Sequence, residues 1–146
     1  MSTPCFSELL NRLQQHDNGT TTVYITNNWL QGRTTYGGLS AALCLQAVLN
    51  TFDDLPPLRS AQINFIGPAG GQVHITTKVM RRGRSVTYIS AEMTGEKGLA
   101  THAVFCFGER RESRLNSDFS AMPNVPSVAD SDDYSDKRLR PAFALN

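Results

Sequence analysis

Residues 39–52 form a fourteen-residue stretch without a single charged side chain, preceded by Gly37-Gly38 and followed shortly by Pro56-Pro57. Leu39, Ala42, Leu43, Ala47 and Leu49 recur at helical spacing, and no acidic or basic group interrupts them before Asp53. A helix with so little polarity has no face to give wholly to water, so it is expected to be buried on most sides by other elements. At 1.5 Å per residue it spans about 21 Å, a length that a curved sheet can wrap. It falls short of the roughly 20 apolar residues of a membrane-spanning helix, and Ser40 and Gln46 break it further. No membrane partner is therefore expected.

The wrapping is written after the helix. Residues 58–66, 72–81, 84–94 and 99–108 alternate apolar and polar side chains and read as strands. Their junctions, Gly67-Pro68-Ala69-Gly70-Gly71, Arg82-Gly83 and Gly95-Glu96-Lys97-Gly98, are short enough to join antiparallel neighbours as a meander. Before the helix, residues 20–26 hold Val23, Tyr24 and Ile25 among threonines, a first strand entered through the turn His16-Asp17-Asn18-Gly19. Residues 5–15 space Phe6, Leu9, Leu10 and Leu13 as a short amphipathic helix. Residues 29–38 show little periodicity. One long helix inserted after the first strand and followed by four antiparallel strands is the element order of an α+β single hotdog fold, a curved sheet wrapped around a central helix. A small Greek-key barrel gives no reason for an uncharged helix between strands one and two.

From residue 112 onward the composition turns to Ser, Asp, Pro and Arg, so the expected organisation is one domain over residues 1–111 and a polar tail or linker over 112–146. The whole chain of 146 residues has the size of one ordinary domain, and 18% charged residues argue against global disorder. Cys5, Cys44 and Cys106 are odd in number, widely spaced and without paired Cys/His spacing, which points to reduced thiols and no metal site. The N-terminal residues lack a basic start followed by an apolar run, so a cytoplasmic location is expected. The net charge of +1 conceals a pattern: residues 58–111 hold eight basic and three acidic side chains, a net +5, while each flank carries −2. Such a segment attracts a phosphate-bearing ligand, or is simply a solvated set of strand ends. Nucleic acid would need a larger basic surface with stacking aromatics, and is not an expected partner.

Three stretches carry a resemblance. They are Trp29-Leu30-Gln31-Gly32-Arg33-Thr34-Thr35-Tyr36-Gly37-Gly38-Leu39-Ser40-Ala41-Ala42, then Leu58-Arg59-Ser60-Ala61-Gln62-Ile63-Asn64-Phe65-Ile66-Gly67-Pro68, then Arg81-Arg82-Gly83-Arg84-Ser85. In this order and spacing the chain resembles the N-terminal hotdog of the thioesterase-like superfamily related to acyl-CoA thioesterase II, over about residues 6–111. The resemblance implies an acyl thioester as small-molecule ligand, with coenzyme A entering as part of the substrate and no separate cofactor. It also implies a double-hotdog relative whose assigned catalytic Asp, hydroxyl and Gln lie in a second repeat that this sequence lacks. The stretch Arg140-Pro141-Ala142-Phe143-Ala144-Leu145-Asn146 looks like a linker and the opening of such a repeat.

Thioester hydrolysis needs an oxyanion stabiliser, a base to activate water, and a slot for the acyl chain. Gly37 and Gly38 offer the first: backbone N–H groups at a helix start face a carbonyl oxygen, and glycine allows close approach. The same pair equally serves as a tight turn into a buried helix. The helix supplies Ser40 and Gln46 but no carboxylate, and no Asp/His pair of the kind a hydratase needs. On the strand at residues 58–66, Ser60, Gln62 and Asn64 alternate with Ala61, Ile63 and Phe65, giving a polar row that lines a site or faces solvent. Gln62 can orient a water, yet an amide cannot act as its base. His102 shares a strand face with Ala100, Val104 and Cys106 and reads as structural.

The candidate set is therefore Gly38 as oxyanion donor with Gln62 and Asn64 as ligands of water or carbonyl. Tyr36, Gly37, Ser40 and Ser60 line the substrate, and Arg82, Arg84 and Ser85 at the Gly83 turn meet coenzyme A phosphates. A lone hotdog leaves a strand edge and a helix end open, so self-association as a dimer or higher oligomer is expected to complete the cleft. The opposing expectation is a non-catalytic acyl-ligand-binding or assembly module, which the missing carboxylate favours.

Overall fold

A computed structural model describes residues 4–115 and 117–131. The chain divides into two compact units, residues 1–110 and 111–146. In the first, a six-stranded antiparallel sheet holds the strands β1 (Gln14–Gln15), β2 (Thr20–Ile25), β5 (Leu58–Phe65), β6 (Gly71–Arg82), β7 (Val86–Gly95) and β8 (Gly98–Gly108) in the order β1-β2-β6-β7-β8-β5. The remaining elements are α1 (Phe6–Leu10), a hairpin of β3 (Leu30–Gln31) with β4 (Thr34–Thr35), and the central helix α2 (Gly37–Thr51).

The sheet and α2 share one core. Leu39, Leu43, Cys44, Ala47 and Val48 are buried at i, i+4, i+5 spacing along α2, a stripe that packs on β6, β7 and β8. The sheet answers with alternate residues: Val73 and Ile75 from β6, Ile89, Ala91 and Met93 from β7, and Ala103, Phe105 and Phe107 from β8. A single residue shifted in register would turn these side chains to the outer face, so the alternation sets the pairing.

Several expectations need correction. The first helix ends at Leu10, and Gln14–Gln15 instead extend the sheet beside β2; Leu13 stays packed against the core. The stretch at 29–38 is structured, with a 3-10 turn at Asn27–Trp29 and the β3–β4 hairpin. Gly37 and Gly38 do not precede α2 but form its first two residues, with Tyr36 at the N-cap. The helix is buried along one stripe, while Leu45 and Gln46 are half-buried and Leu49 is 43% exposed. Strands β6, β7 and β8 do form a meander, but β5 crosses to the far edge and pairs β8, because β2 occupies the free side of β6.

That crossing leaves β5 at an edge with seven of its eight residues exposed, the exception being half-buried Ile63. In the second unit, residues 111–115 and 117–131 are exposed throughout and carry one 3-10 turn, Val128–Asp130. The stretch at 140–146 lies outside the described residues. Among the described residues no helix is long and apolar enough to cross a membrane.

Candidate functional site

The start of α2 is held in place by the hairpin before it. Gly32 takes φ +72°, a left-handed turn conformation open to glycine, and lets β3 fold back on β4. The Thr35 amide donates to the Ala69 carbonyl at 2.7 Å, and the Ala69 amide donates to Thr34 Oγ1 at 3.0 Å. The Thr35 hydroxyl donates to the Trp29 carbonyl at 2.9 Å. Trp29 in turn stacks at a tilt on Phe6, 6.3 Å between ring centroids, and its Nε1 donates to the Pro4 carbonyl. Trp29 thus fastens α1 to the hairpin.

Where this hairpin, the N-terminus of α2, the end of β5 and the loop after it meet, a cleft of about 720 Å³ opens. That is within the range of ligand pockets, about 300–1,000 Å³. Gly37 and buried Ser40 come from the helix, Phe65 and Pro68 from β5 and its loop, and buried Thr101 from β8. The amides of Leu39 and Ser40 both donate to the Tyr36 carbonyl, at 3.0 and 3.3 Å. Those of Gly37 and Gly38 come earlier in the first turn, where a helix offers no carbonyl behind them, so they point outward with the positive end of the dipole.

A side chain at either glycine would push a neighbouring ring aside. A Cβ on Gly37 would stand 2.9 Å from Cζ of Phe65, and one on Gly38 would overlap the ring of Tyr36, whose hydroxyl would be 2.8 Å away. Gly37 is the member of the pair that lines the cleft; Gly38 lies under the half-exposed Tyr36 ring.

The other candidates are not brought here within one copy. Ala61 and Ile63 pair with the buried Phe105 and Ala103, so they face the helix side of the sheet. Strand alternation then turns Ser60, Gln62 and Asn64 to the opposite, outer face, opposite Cys106, Val104 and His102. There Asn64 Nδ2 donates to the His102 carbonyl at 3.4 Å. Arg82, Arg84 and Ser85 sit at the other end of the sheet: Arg82 pairs with Thr87 and Thr87 with Phe107, six residues along β8 from the cleft's Thr101. At strand rise this is about 20 Å. Arg82 is already engaged there by Asp54 at 3.1 Å.

The cleft has basic groups that sequence reading passed over. Arg33, at the tip of the β3–β4 hairpin, and Lys97, at the tip of the β7–β8 hairpin, both line it, and none of its lining residues is acidic. Both turns were legible as Gly-containing junctions, but nothing in a linear sequence puts residues 33 and 97 at one rim. Among the described residues there is no cluster of metal-ligating side chains. Cys44 lies on the buried face of α2, and burial pushes its thiol up to about 12, which disfavours the reactive thiolate.

A sheet curved around one central helix, with the helix N-terminus opening on a cleft, defines a hotdog protein, and solved structures agree. A hotdog protein of unknown function from Alicyclobacillus acidocaldarius superposes with a TM-score of 0.72 at 26% identity, over 88% of this chain and 48% of that one. The tesB protein of Mycobacterium avium subspecies paratuberculosis gives 0.66 at 16% identity, over 85% and 48%. A Bacillus halodurans protein solved with CoA gives 0.56 at 13% identity, over 66% and 70%. Residues 25–108 match the family model of the acyl-CoA thioesterase N-terminal domain, and the chain belongs to that family. It spans about half the length of the first two of these structures. No curated protein sequence matches it.

Proposed function

We propose that this chain binds acyl-CoA thioesters in the cleft at the N-terminus of α2 and hydrolyses them once a second hotdog unit, a further copy of the chain, closes that cleft. The observation that carries the reading is the juxtaposition of Gly37, Ser40 and a cleft of about 720 Å³ at the positive end of the central helix. A thioester carbonyl placed against the first-turn amides would have its developing oxyanion met by fixed N–H donors. Water would then form the new C–O bond as the C–S bond breaks, with a proton passing from the water to the departing thiolate. No residue lining the cleft is a carboxylate or histidine, so the base has to come from the second unit.

Two features support a second copy. β5 is an edge strand, and Ala61 and Phe65 leave apolar surface exposed on its helix side, flanking the half-buried Ile63. Related structures are about twice as long as this chain, room for a second unit of the same size. The missing base within one copy favours the second reading, a non-catalytic acyl-ligand module. Thiol release from acyl-CoAs of graded chain length, with saturable binding of coenzyme A measured in parallel, separates the two. Turnover supports the enzyme; binding without turnover on any chain length selects the module; neither binding nor turnover sinks both.

A further inference from the structure

We infer that Arg33 and Lys97 form the anion clamp of this cleft, holding the phosphates of coenzyme A while the pantetheine arm runs inward to the start of α2. The inference rests on the acyl-CoA reading above and assigns to it residues other than the Arg82–Arg84 turn.

Two hairpin tips far apart in sequence, Gly32-Arg33 and Glu96-Lys97, converge on one rim. The same two side chains also line an adjoining depression of about 220 Å³ with Pro68 and Gly70, so they stand between the cleft and a path outward to solvent. A ligand with an acyl thioester at the helix end and a charged head at the surface has to cross that rim.

Neither Arg33 nor Lys97 has an ion-pair partner among the described residues, where the salt bridge present is Arg82 with Asp54 at the far end of the sheet. Glu96 borders the outer depression but not the cleft. Two free cations and a helix N-terminus therefore act on the same space with no carboxylate lining it, a field that attracts a polyanion. Arg33 brings a planar fork suited to two phosphate oxygens and Lys97 a mobile point charge, a complementary pair for a diphosphate.

Arg33 rides on a two-residue turn whose flanking Thr34 and Thr35 are hydrogen-bonded to Ala69. Lys97 rides on a tight turn closed by the pairing of Gly95 with Gly98, where Gly98 takes φ +96°. Both cations are exposed, so they are presented to solvent from braced backbone and meet the ligand without unfolding anything.

The test is calorimetric titration of the full chain with coenzyme A and with pantetheine, which lacks the phosphates, in wild type, Arg33→Ala, Lys97→Ala and Arg82→Ala. A charge-assisted contact contributes at least about 1.5 kcal/mol, or roughly tenfold in affinity. Each of Arg33→Ala and Lys97→Ala is expected to weaken coenzyme A about tenfold, to flatten the salt dependence of binding, and to leave pantetheine unchanged; Arg82→Ala is expected to change neither. Wild-type binding of coenzyme A with unaltered affinity in the Arg33 and Lys97 variants overturns the clamp and leaves the acyl-CoA reading standing. Loss centred on Arg82→Ala overturns it in favour of the far end of the sheet. Failure of wild type to bind coenzyme A at all removes the clamp together with the reading beneath it.

Discussion

Cys44 shows how completely a side chain's chemistry is decided by its surroundings. In sequence it is one of three thiols; in the fold it is fully buried among Leu43, Ala47 and Val48, while Cys5 is exposed. Burial disfavours the thiolate and moves its pKa from 9.0 to about 12. Below pH 9 both folded and unfolded chains keep the proton and the contribution is fully present; between there and about 12 the unfolded chain loses a proton that the folded chain retains, so stability falls as pH rises. The slope from this one group reaches at most about 1.4 kcal/mol per pH unit. Urea unfolding at pH 8 and pH 10.5 is expected to show that loss in wild type and a smaller one in Cys44→Ala. Equal losses in the two proteins would remove Cys44 as the cause. At the same scale, Gly37 and Ser40, which line the cleft, were legible as candidates because a Gly-Gly pair before an uncharged helix restricts what can pack there, whereas Tyr36 is not among the lining residues. Arg33 and Lys97 were not legible, because a charged residue in a turn looks the same in sequence whether it faces open solvent or a ligand cleft.

Among the elements, β5 most separates what sequence patterning reveals from what it leaves open. Its alternation of Ser60, Gln62 and Asn64 with Ala61, Ile63 and Phe65 was readable, and the structure keeps that division between two faces. Which face would meet the helix cleft depended on register with β8, and the pairing of Ala61 with Phe105 and Asn64 with His102 puts the amides on the outside. The edge position of β5 was likewise hidden, since a short glycine-rich junction suits a hairpin as well as a crossing. An edge strand with exposed apolar residues on its helix side is a surface for self-association. Ala61 is exposed, so Ala61→Glu adds a buried charge only if a second copy covers it. The proposed pairing through β5 predicts that sedimentation shows a smaller assembly for this variant than for wild type at equal concentration, with an unchanged circular dichroism spectrum. An oligomer as stable as wild type would place the interface elsewhere.

At the scale of the whole molecule, the buried hydrophobic core among the described residues runs from Leu9 to Phe107, and residues 111–115 and 117–131 are exposed. Stability is therefore expected to reside in the first unit. A chain ending at Arg110 should unfold cooperatively with a midpoint within about 2 °C of the full chain, a shift corresponding to less than about 0.5 kcal/mol for a domain of this size. A drop of ten degrees or more in a thermal scan would show that the later residues contribute to folding.

The sequence by itself determined the class of fold, the central helix and its glycine-rich start, because hydrophobic periodicity and the absence of charge are local properties that allow few packing solutions. It also determined that no carboxylate stands on that helix. The tertiary structure alone decided which polar groups share a cleft, that β5 lies at an edge, and that two separate hairpin tips bring Arg33 and Lys97 to one rim. The reason is physical: strand order, register and the curvature of the sheet set distances between residues remote in sequence, and those quantities arise only when the elements pack against one another.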